Sequence, residues 1–212
     1  MFAYCGDNPT NLVDSNGHAG GLLAVIITVI ICALCLSGCG AKSSSKSAIN
    51  TAMPTPSPRP TPASLTLDQK VLIATIAAEG AVNAHGEPVS SSARQAMANV
   101  ALNRVGSREW KEYTTVSEIC QYTGFDGYGS INYNSCMEYL NNRDGQNEMY
   151  ESIIWDVMQA YESDITQGCQ LYYTPADMSP PGSKPNWNFS LLVEVSIPGV
   201  DPYYEGTFYR YG

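Results

Sequence analysis

Residues 66–105 run TLDQKVLIATIAAEG, then AVNAHGEP, then VSSSARQAMANVALNRV, and they predict two helices joined by a loop. Thr66-x-x-Gln69 and Ser92-x-x-Gln95 both have the spacing of a helix capping box, in which the two side chains bond each other's backbone amides. An apolar pattern at helical period follows each of them. This helical pair is the part of the chain around which we expect the fold to be built.

Glu79 stands at an unusual place in the first of these helices. Leu72 and Ile76 lie one turn apart on the apolar face, and Glu79 falls on the same face at i+7. Burial raises a carboxyl pKa because the charged form loses its hydration, so Glu79 is a candidate general acid. The alternative is a fraying helix end next to Gly80, with Glu79 paired to Arg104 or another cation.

The composition excludes several classes of function. The chain has 212 residues, 44% of them hydrophobic, and a net charge of −9, whereas nucleic-acid binding requires a basic footprint. His18 and His85 are the only histidines, and His85 alone falls in the expected folded part. A zinc site built on several histidines is therefore excluded there, and we expect neither a metal nor a cofactor.

Residues 1–39 have the features of a signal peptide or a membrane anchor. Leu22 to Leu36 is an uninterrupted apolar run of signal-peptide length, and it leads into Leu36-Ser37-Gly38-Cys39. These four residues are typical of a bacterial lipobox, in which Cys39 would be lipidated. The segment before the run lacks Lys and Arg, so an uncleaved anchor stays open as the alternative. Either arrangement predicts an extracytoplasmic protein anchored at the cell envelope.

Residues 40–64 are rich in Ser, Thr and Pro. This composition cannot bury a core and predicts an extended linker that holds residues 65–212 away from the membrane. The remaining chain is predicted to contain a short helix after Thr115-x-x-Glu118, an aromatic loop over 120–139 and a third main helix over 147–165. Three strands are expected at 171–173, 191–197 and 207–211. Helices followed by strands predict an α+β fold with a small antiparallel sheet.

Three cysteines lie in the expected domain. In an exported protein, three cysteines favour one disulfide and one remaining thiol. Cys120 and Cys136 are the favoured pair, because their bond would close the aromatic loop, and Cys169 would be left over.

The chain also resembles a known family. Ala-Ala-Glu79-Gly, the loop with Gly86-Glu87-Pro88, and the helix ending Leu102-Asn103-Arg104-Val105 are similar to the opening of the spore cortex-lytic enzymes, the SleB-type cell wall hydrolases. The resemblance covers roughly 67–211. It departs from the family at Gly124, where Gln is usual, and at Thr207, near the position of a usual His.

The resemblance implies a lysozyme-like, transglycosylase-like domain that cleaves peptidoglycan between N-acetylmuramic acid and N-acetylglucosamine. Its catalytic acid would be Glu79, and it would act as a monomer that binds the wall. The implied substrate-binding residues are Glu87, Phe125, Tyr172, Tyr173 and Trp187. A lytic transglycosylase with one catalytic carboxylate is the main expectation. A muramidase with Glu87 as its second carboxylate and a non-catalytic wall-binding lipoprotein are the alternatives.

Overall fold

A computed structural model of the chain describes residues 65–83, 85–142 and 146–212, which all fall within one compact unit. The predicted signal or anchor over 1–39, the lipidation of Cys39 and the linker over 40–64 lie outside the described residues. In the part that is described, no helix is both long and apolar enough to cross a membrane.

Five α-helices come first among the described residues. They are α1 (Leu67–Glu79), α2 (Ser91–Arg104), α3 (Val116–Tyr122), α4 (Ile131–Asn142) and α5 (Glu148–Glu162). The capping boxes predicted at Thr66 and Thr115 are both present. Helices α1 and α3 therefore begin where local hydrogen bonds satisfy the first free amides.

Helix α1 is the centre of the helical part. Its residues from Val71 to Ala77 are all buried, and it packs against each of the other four helices. The segment VLIATIA is apolar on every side except at Thr75, whose hydroxyl donates to the Val71 carbonyl at 2.9 Å. A helix that is apolar all round is stable only when it is surrounded, which accounts for its position.

A small antiparallel sheet follows the helices. Its strands are β1 (Leu171–Tyr173), β2 (Leu192–Val195) and β3 (Thr207–Tyr211), in the order β1-β3-β2. Tyr172 pairs with Phe208 across β1 and β3, and Val195 pairs with the same Phe208 from β2. The fold is therefore α+β, as predicted.

The region predicted as an aromatic loop contains a helix. Helix α4 buries Tyr133, Cys136 and Leu140, and it packs against α1. Its sequence, INYNSCMEYLNN, is rich in Asn and Tyr, which are weak helix formers, so tertiary packing decides its conformation.

The predicted disulfide is corrected as well. Cys120, Cys136 and Cys169 are all buried and free, so the Cys120–Cys136 bond is not formed. Cys120 belongs to α3 and Cys136 to α4, and each of these helices packs on α1. The thiol of Cys120 contacts Thr75 of α1, and burial raises its pKa to about 12, which disfavours thiolate chemistry.

A buried ion pair joins α2 to α5. Arg94 Nε donates to Asp156 Oδ2 at 2.7 Å, and the Ser91 hydroxyl donates to the other oxygen of the same carboxylate. A second donor of Arg94, Nη1, reaches the Val89 carbonyl at 2.6 Å. Both charged side chains are almost fully buried and have lost their hydration. Their mutual attraction and hydrogen bonds offset this loss, so each charge depends on its partner.

Candidate active site

Glu79 is the last residue of α1, and it is half-buried. Helix α1 ends there because Gly80 follows, with its backbone N–H still bonded to the Ile76 carbonyl at 2.8 Å. The helix is thus ordered up to the carboxylate. Glu79 is held by contacts from distant parts of the chain, which differs from the frayed end considered above.

The first contact comes from the loop between α3 and α4. The backbone N–H of Gly127 donates to Glu79 Oε1. Gly127 is itself buried, and a Cβ at this position would lie 2.7 Å from the Ala78 Cβ. Only glycine lets the loop come close enough to α1 for the amide to reach the carboxylate.

The second contact comes from β1. The Tyr172 hydroxyl donates to Glu79 Oε2 at 3.0 Å. The Tyr172 ring stacks on Phe208 of β3 at 5.6 Å between centroids and lies against Phe125 at 6.2 Å. Burial and the neighbouring Glu79 carboxylate raise the pKa of Tyr172 well above its usual value, which keeps the phenol protonated as a donor.

Arg104 holds both segments that donate to Glu79, which are β1 and the loop between α3 and α4. From the end of α2, its Nε donates to the Gln170 carbonyl at 2.7 Å, just before β1. Its Nη1 donates to the Thr123 carbonyl at 2.7 Å, at the start of the loop that carries Gly127. The guanidinium carbon lies 4.9 Å from the Phe125 ring centroid. A buried, forked donor of this kind holds two chain segments in register.

Asn103 strengthens the same junction. Its side-chain amide donates to the Thr166 hydroxyl at 3.2 Å and to the Cys169 carbonyl at 3.1 Å. Asn103 and Arg104 therefore join the end of α2 to the chain that leads into β1. The Asn-Arg pair of the sequence has a structural role, and it places Tyr172 opposite Glu79.

The pKa of Glu79 is raised above its usual value. Burial is the largest cause, because the charged carboxylate loses its hydration. The hydrogen bonds from Gly127 and Tyr172 oppose this by stabilising the charged form. Among nearby charges, Asp126 raises the pKa and Arg104 lowers it. The carboxyl group is thus set up to keep its proton at a higher pH than an exposed glutamate does.

This shift predicts the pH dependence of any acid catalysis at Glu79. Only the protonated form donates, so the rate should be full below the raised pKa and should fall as the pH rises through it. The basic limb of the rate profile should therefore lie at higher pH than the limb of an exposed glutamate, whose ordinary pKa is 4.5. Initial rates measured across pH would check this, and a limb centred near 4.5 would contradict it.

Gly127 gives a second prediction. Gly127→Ala places a methyl group against Ala78, so the loop must move and the bond from the Gly127 amide to Glu79 is lost or lengthened. Any acid catalysis at Glu79 should therefore slow about 100-fold, the usual effect of misplacing a reacting group by about 1 Å. Gly212→Ala is the matched control, since its nearest atom beyond the chain neighbours is 3.6 Å away. Equal rates for the two variants would show that the loop position is unimportant.

The other predicted site residues are distributed differently. Phe125 is buried and packs against Arg104 and Tyr172, so it supports the site and is not exposed for substrate contact, which corrects its predicted role. Glu87 lies on an exposed loop, where its backbone N–H donates to Asn83 Oδ1 at 3.0 Å. No hydrogen bond in the described part of the chain connects Glu87 with Glu79.

Tyr173 and Trp187 belong to a separate aromatic cluster. The rings of Tyr173 and Trp187 meet edge to face, with 5.6 Å between centroids, and Tyr173 stacks on Tyr209 with 6.1 Å between centroids. Phe189 packs against the same Tyr209 ring. Tyr172 and Tyr173 thus have different neighbours, as the alternation of side chains along a strand predicts. Thr207 is buried and donates to the Pro202 carbonyl at 2.8 Å, a contact that holds the turn before β3.

Asp126 was missed by the sequence interpretation. It is exposed and directly precedes Gly127, and its charge acts on both Glu79 and Tyr172. Asp126 is therefore a carboxylate near Glu79 that the sequence interpretation, which had suggested Glu87, did not consider. The sequence signal that could have identified Asp126 is an acidic residue between an aromatic residue and a glycine in the stretch GFDGYG.

Cavities and metal ligands do not single out another site. A cavity of about 80 Å³ lies beside the start of β3, where Val200, Thr207 and Phe208 form part of its wall, and Glu79 does not line it. Among the described residues, no group of three or more His, Cys, Asp and Glu side chains could hold a metal ion. The site is distinguished by the two donors on the Glu79 carboxylate and by its raised pKa.

Comparison of the chain with protein-family models, with curated proteins and with solved structures gave no significant match.

Proposed function

We propose that this protein cleaves the glycan strand of peptidoglycan as a lytic transglycosylase, with Glu79 as the single acid and base. The observation that carries the proposal is the Glu79 carboxylate itself, half-buried, with a raised pKa and with one donor on each oxygen. The arrangement of helices with a small sheet is compatible with a lysozyme-like domain, which is part of the same proposal.

The reaction would proceed through one residue in two protonation states. Protonated Glu79 donates its proton to the oxygen between N-acetylmuramic acid and N-acetylglucosamine, and the bond from the muramic C1 to that oxygen breaks. The bonding electron pair leaves with the oxygen. The Glu79 carboxylate then takes the proton of the muramic C6 hydroxyl as its oxygen attacks C1. A 1,6-anhydro sugar forms, no water is consumed, and Glu79 ends protonated.

The fixed donors suit this cycle. A raised pKa favours the first step, because the acid is protonated before the substrate is cleaved. The Gly127 amide and the Tyr172 hydroxyl then stabilise the carboxylate that remains. Because both donors are already in place, little reorganisation is needed when the charge appears.

The proposed setting is the outer face of a cell membrane. Residues 1–39, ending in the lipobox at Cys39, would anchor the chain, and the linker over 40–64 would give a monomeric domain its reach into the wall. The acidic chain, with a net charge of −9, gives no electrostatic attraction to an anionic wall. Binding would therefore depend on shape, ring stacking and hydrogen bonds.

The test is the chemistry of the product ends. The full chain, solubilised in detergent, is incubated with purified peptidoglycan, and mass spectrometry identifies the sugar ends. Anhydro-muramic ends support the transglycosylase. Reducing muramic ends identify a muramidase, in which water is the acceptor and a second carboxylate takes part. A folded protein that binds the wall and releases no product overturns the enzymatic function and leaves a wall-binding lipoprotein.

A further inference from the structure

The loop that holds Glu79 also brings a second carboxylate to the site. The Gly127 amide nitrogen is bonded to the carbonyl carbon of Asp126, and it donates to Glu79 Oε1. Covalent geometry and an ordinary hydrogen-bond length then place the Asp126 Cα within about 6 Å of that oxygen. An aspartate side chain extends about 3.5 Å from its Cα, so the Asp126 carboxylate lies at most about 9.5 Å from Glu79 Oε1.

This limit has a chemical meaning. Glycosidases place two carboxyl groups on either side of the bond that they break, about 5 to 9.5 Å apart, depending on the fate of the sugar. In such a pair, the carboxyl group that acts as the acid is the more enclosed one, and the other is open to the substrate. Glu79 and Asp126 differ in this way, since Glu79 is enclosed by β1 and the loop and Asp126 is open to solvent.

The other charged groups around Glu79 do not provide an alternative. Arg104, from α2, carries the wrong sign to stabilise a cation. Tyr172, from β1, is a protonated donor. Glu87 is on an exposed loop with its backbone amide bonded to Asn83. Asp126 is the acidic residue whose charge reaches both Glu79 and the Tyr172 hydroxyl.

We propose that Asp126 is a second catalytic residue of this site, whose carboxylate stabilises the positive charge that develops on the muramic C1 as the glycosidic bond breaks. The inference rests on the proposed function. When Glu79 protonates the leaving oxygen and the bonding pair departs with it, C1 becomes electron-poor. A fixed negative charge beside C1 stabilises this transition state more than the neutral ground state, which is the requirement for catalysis. Asp126 makes no covalent bond and exchanges no proton in this role.

The test compares Asp126→Asn with the wild-type full chain on peptidoglycan. We expect kcat to fall about 10- to 100-fold, with KM changed less than about twofold. This is less than the loss of about 100- to 1,000-fold for one buried oxyanion-hole donor, because Asp126 is exposed to solvent. The basic limb of the kcat profile should also move to lower pH, because removing a like charge lowers the pKa of Glu79. Asp126→Glu should recover most of the rate, since it retains the charge.

Two further variants keep the test decisive. Glu112→Gln removes an exposed carboxylate elsewhere and should leave both kcat and the pH limb unchanged. Asp126→Ser is a second neutral variant in case Asp126→Asn does not fold, as judged by circular dichroism. An unchanged kcat and an unchanged limb in a folded neutral variant would overturn the role of Asp126.

A readout that does not need catalysis separates this inference from the proposed function. Carboxyl ¹³C NMR titration follows Glu79 directly, and its pKa should be lower in Asp126→Asn than in the wild type. If the wild type titrates as expected but releases no product, the proposed function fails, and the catalytic role of Asp126 fails with it. If the wild type is active and the Glu79 titration is the same in both proteins, the assignment of Asp126 alone is overturned.

Discussion

Glu79→Gln is expected to reduce the cleavage of peptidoglycan by about 100- to 10,000-fold, the range that general acid catalysis supplies. Glutamine keeps the shape of the side chain, and its oxygen can still accept the Gly127 amide. It has no acidic proton to give to the leaving oxygen. Anhydro-muramic ends should therefore disappear from the mass spectrum while wall binding remains.

The same substitution should change stability in a way that depends on pH. The pKa of Glu79 is higher in the folded protein than in the unfolded chain, where it is close to 4.5. The folded state therefore holds the proton more tightly, and stability is lost as the pH rises from about 4.5 through the raised value. Glu79→Gln removes this loss, so its melting temperature relative to the wild type should improve from pH 4 to pH 8.

Glu112→Gln is the matched control, because it makes the same chemical change on an exposed residue. It should alter neither the rate nor the pH dependence of melting. Wild-type rates in a folded Glu79→Gln protein would eliminate Glu79 as the acid and, with it, the proposed mechanism.

The largest loss of stability is expected for Asp156→Ala. This change leaves the Arg94 guanidinium almost fully buried with its carboxylate gone, and it also removes the acceptor of the Ser91 hydroxyl. Removing one partner of a buried ion pair typically costs about 3 to 5 kcal/mol. Urea unfolding monitored by circular dichroism should show a loss of this size in the free energy of unfolding.

Glu162→Ala is the control on the same helix, since Glu162 is exposed at the end of α5. Its effect should stay within about 0.5 kcal/mol. The double variant Arg94→Met with Asp156→Leu should recover much of the loss, because it removes the stranded charge together with its partner. A loss below about 1 kcal/mol for Asp156→Ala would mean that water reaches Arg94.

The features that the sequence predicted correctly are local ones. Thr66 and Thr115 begin their helices with capping boxes because both partners lie within one turn. The cap expected at Ser92 was wrong, and the helix begins after Ser90 instead. There, Glu205 accepts from both the Ser90 amide, at 2.6 Å, and the Ser90 hydroxyl, at 2.8 Å. The Ser90 hydroxyl also accepts from the Ala93 amide at 3.2 Å, so the cap itself is local. The contact with Glu205, 115 positions away, favours Ser90 over Ser92, and the local pattern does not contain that contact.

The candidate site follows the same rule. Glu79 was found because a carboxylate interrupts the apolar face of one helix, which is a local signal. Gly127 and Asp126 were not found, because their importance comes from a loop that folds back over α1. Phe125 was expected at the substrate, yet it is buried beside Arg104. The local sequence around an aromatic loop residue does not indicate whether its ring is exposed to solvent or packed against a cation.

The enclosure of Glu79 by distant segments also determines when, during biosynthesis, its raised pKa arises, because burial is the largest cause of that pKa. Tyr172 is 93 positions beyond Glu79, so the carboxylate is synthesised long before its partner. A nascent or unfolded chain carries an ordinary, solvated glutamate that is ionised at neutral pH. The raised pKa on which the proposed function depends therefore arises only after the segment that contains β1 has been synthesised and has docked. A polypeptide that is truncated before β1 contains Glu79 but lacks the Tyr172 donor and the strand that helps to enclose the carboxylate.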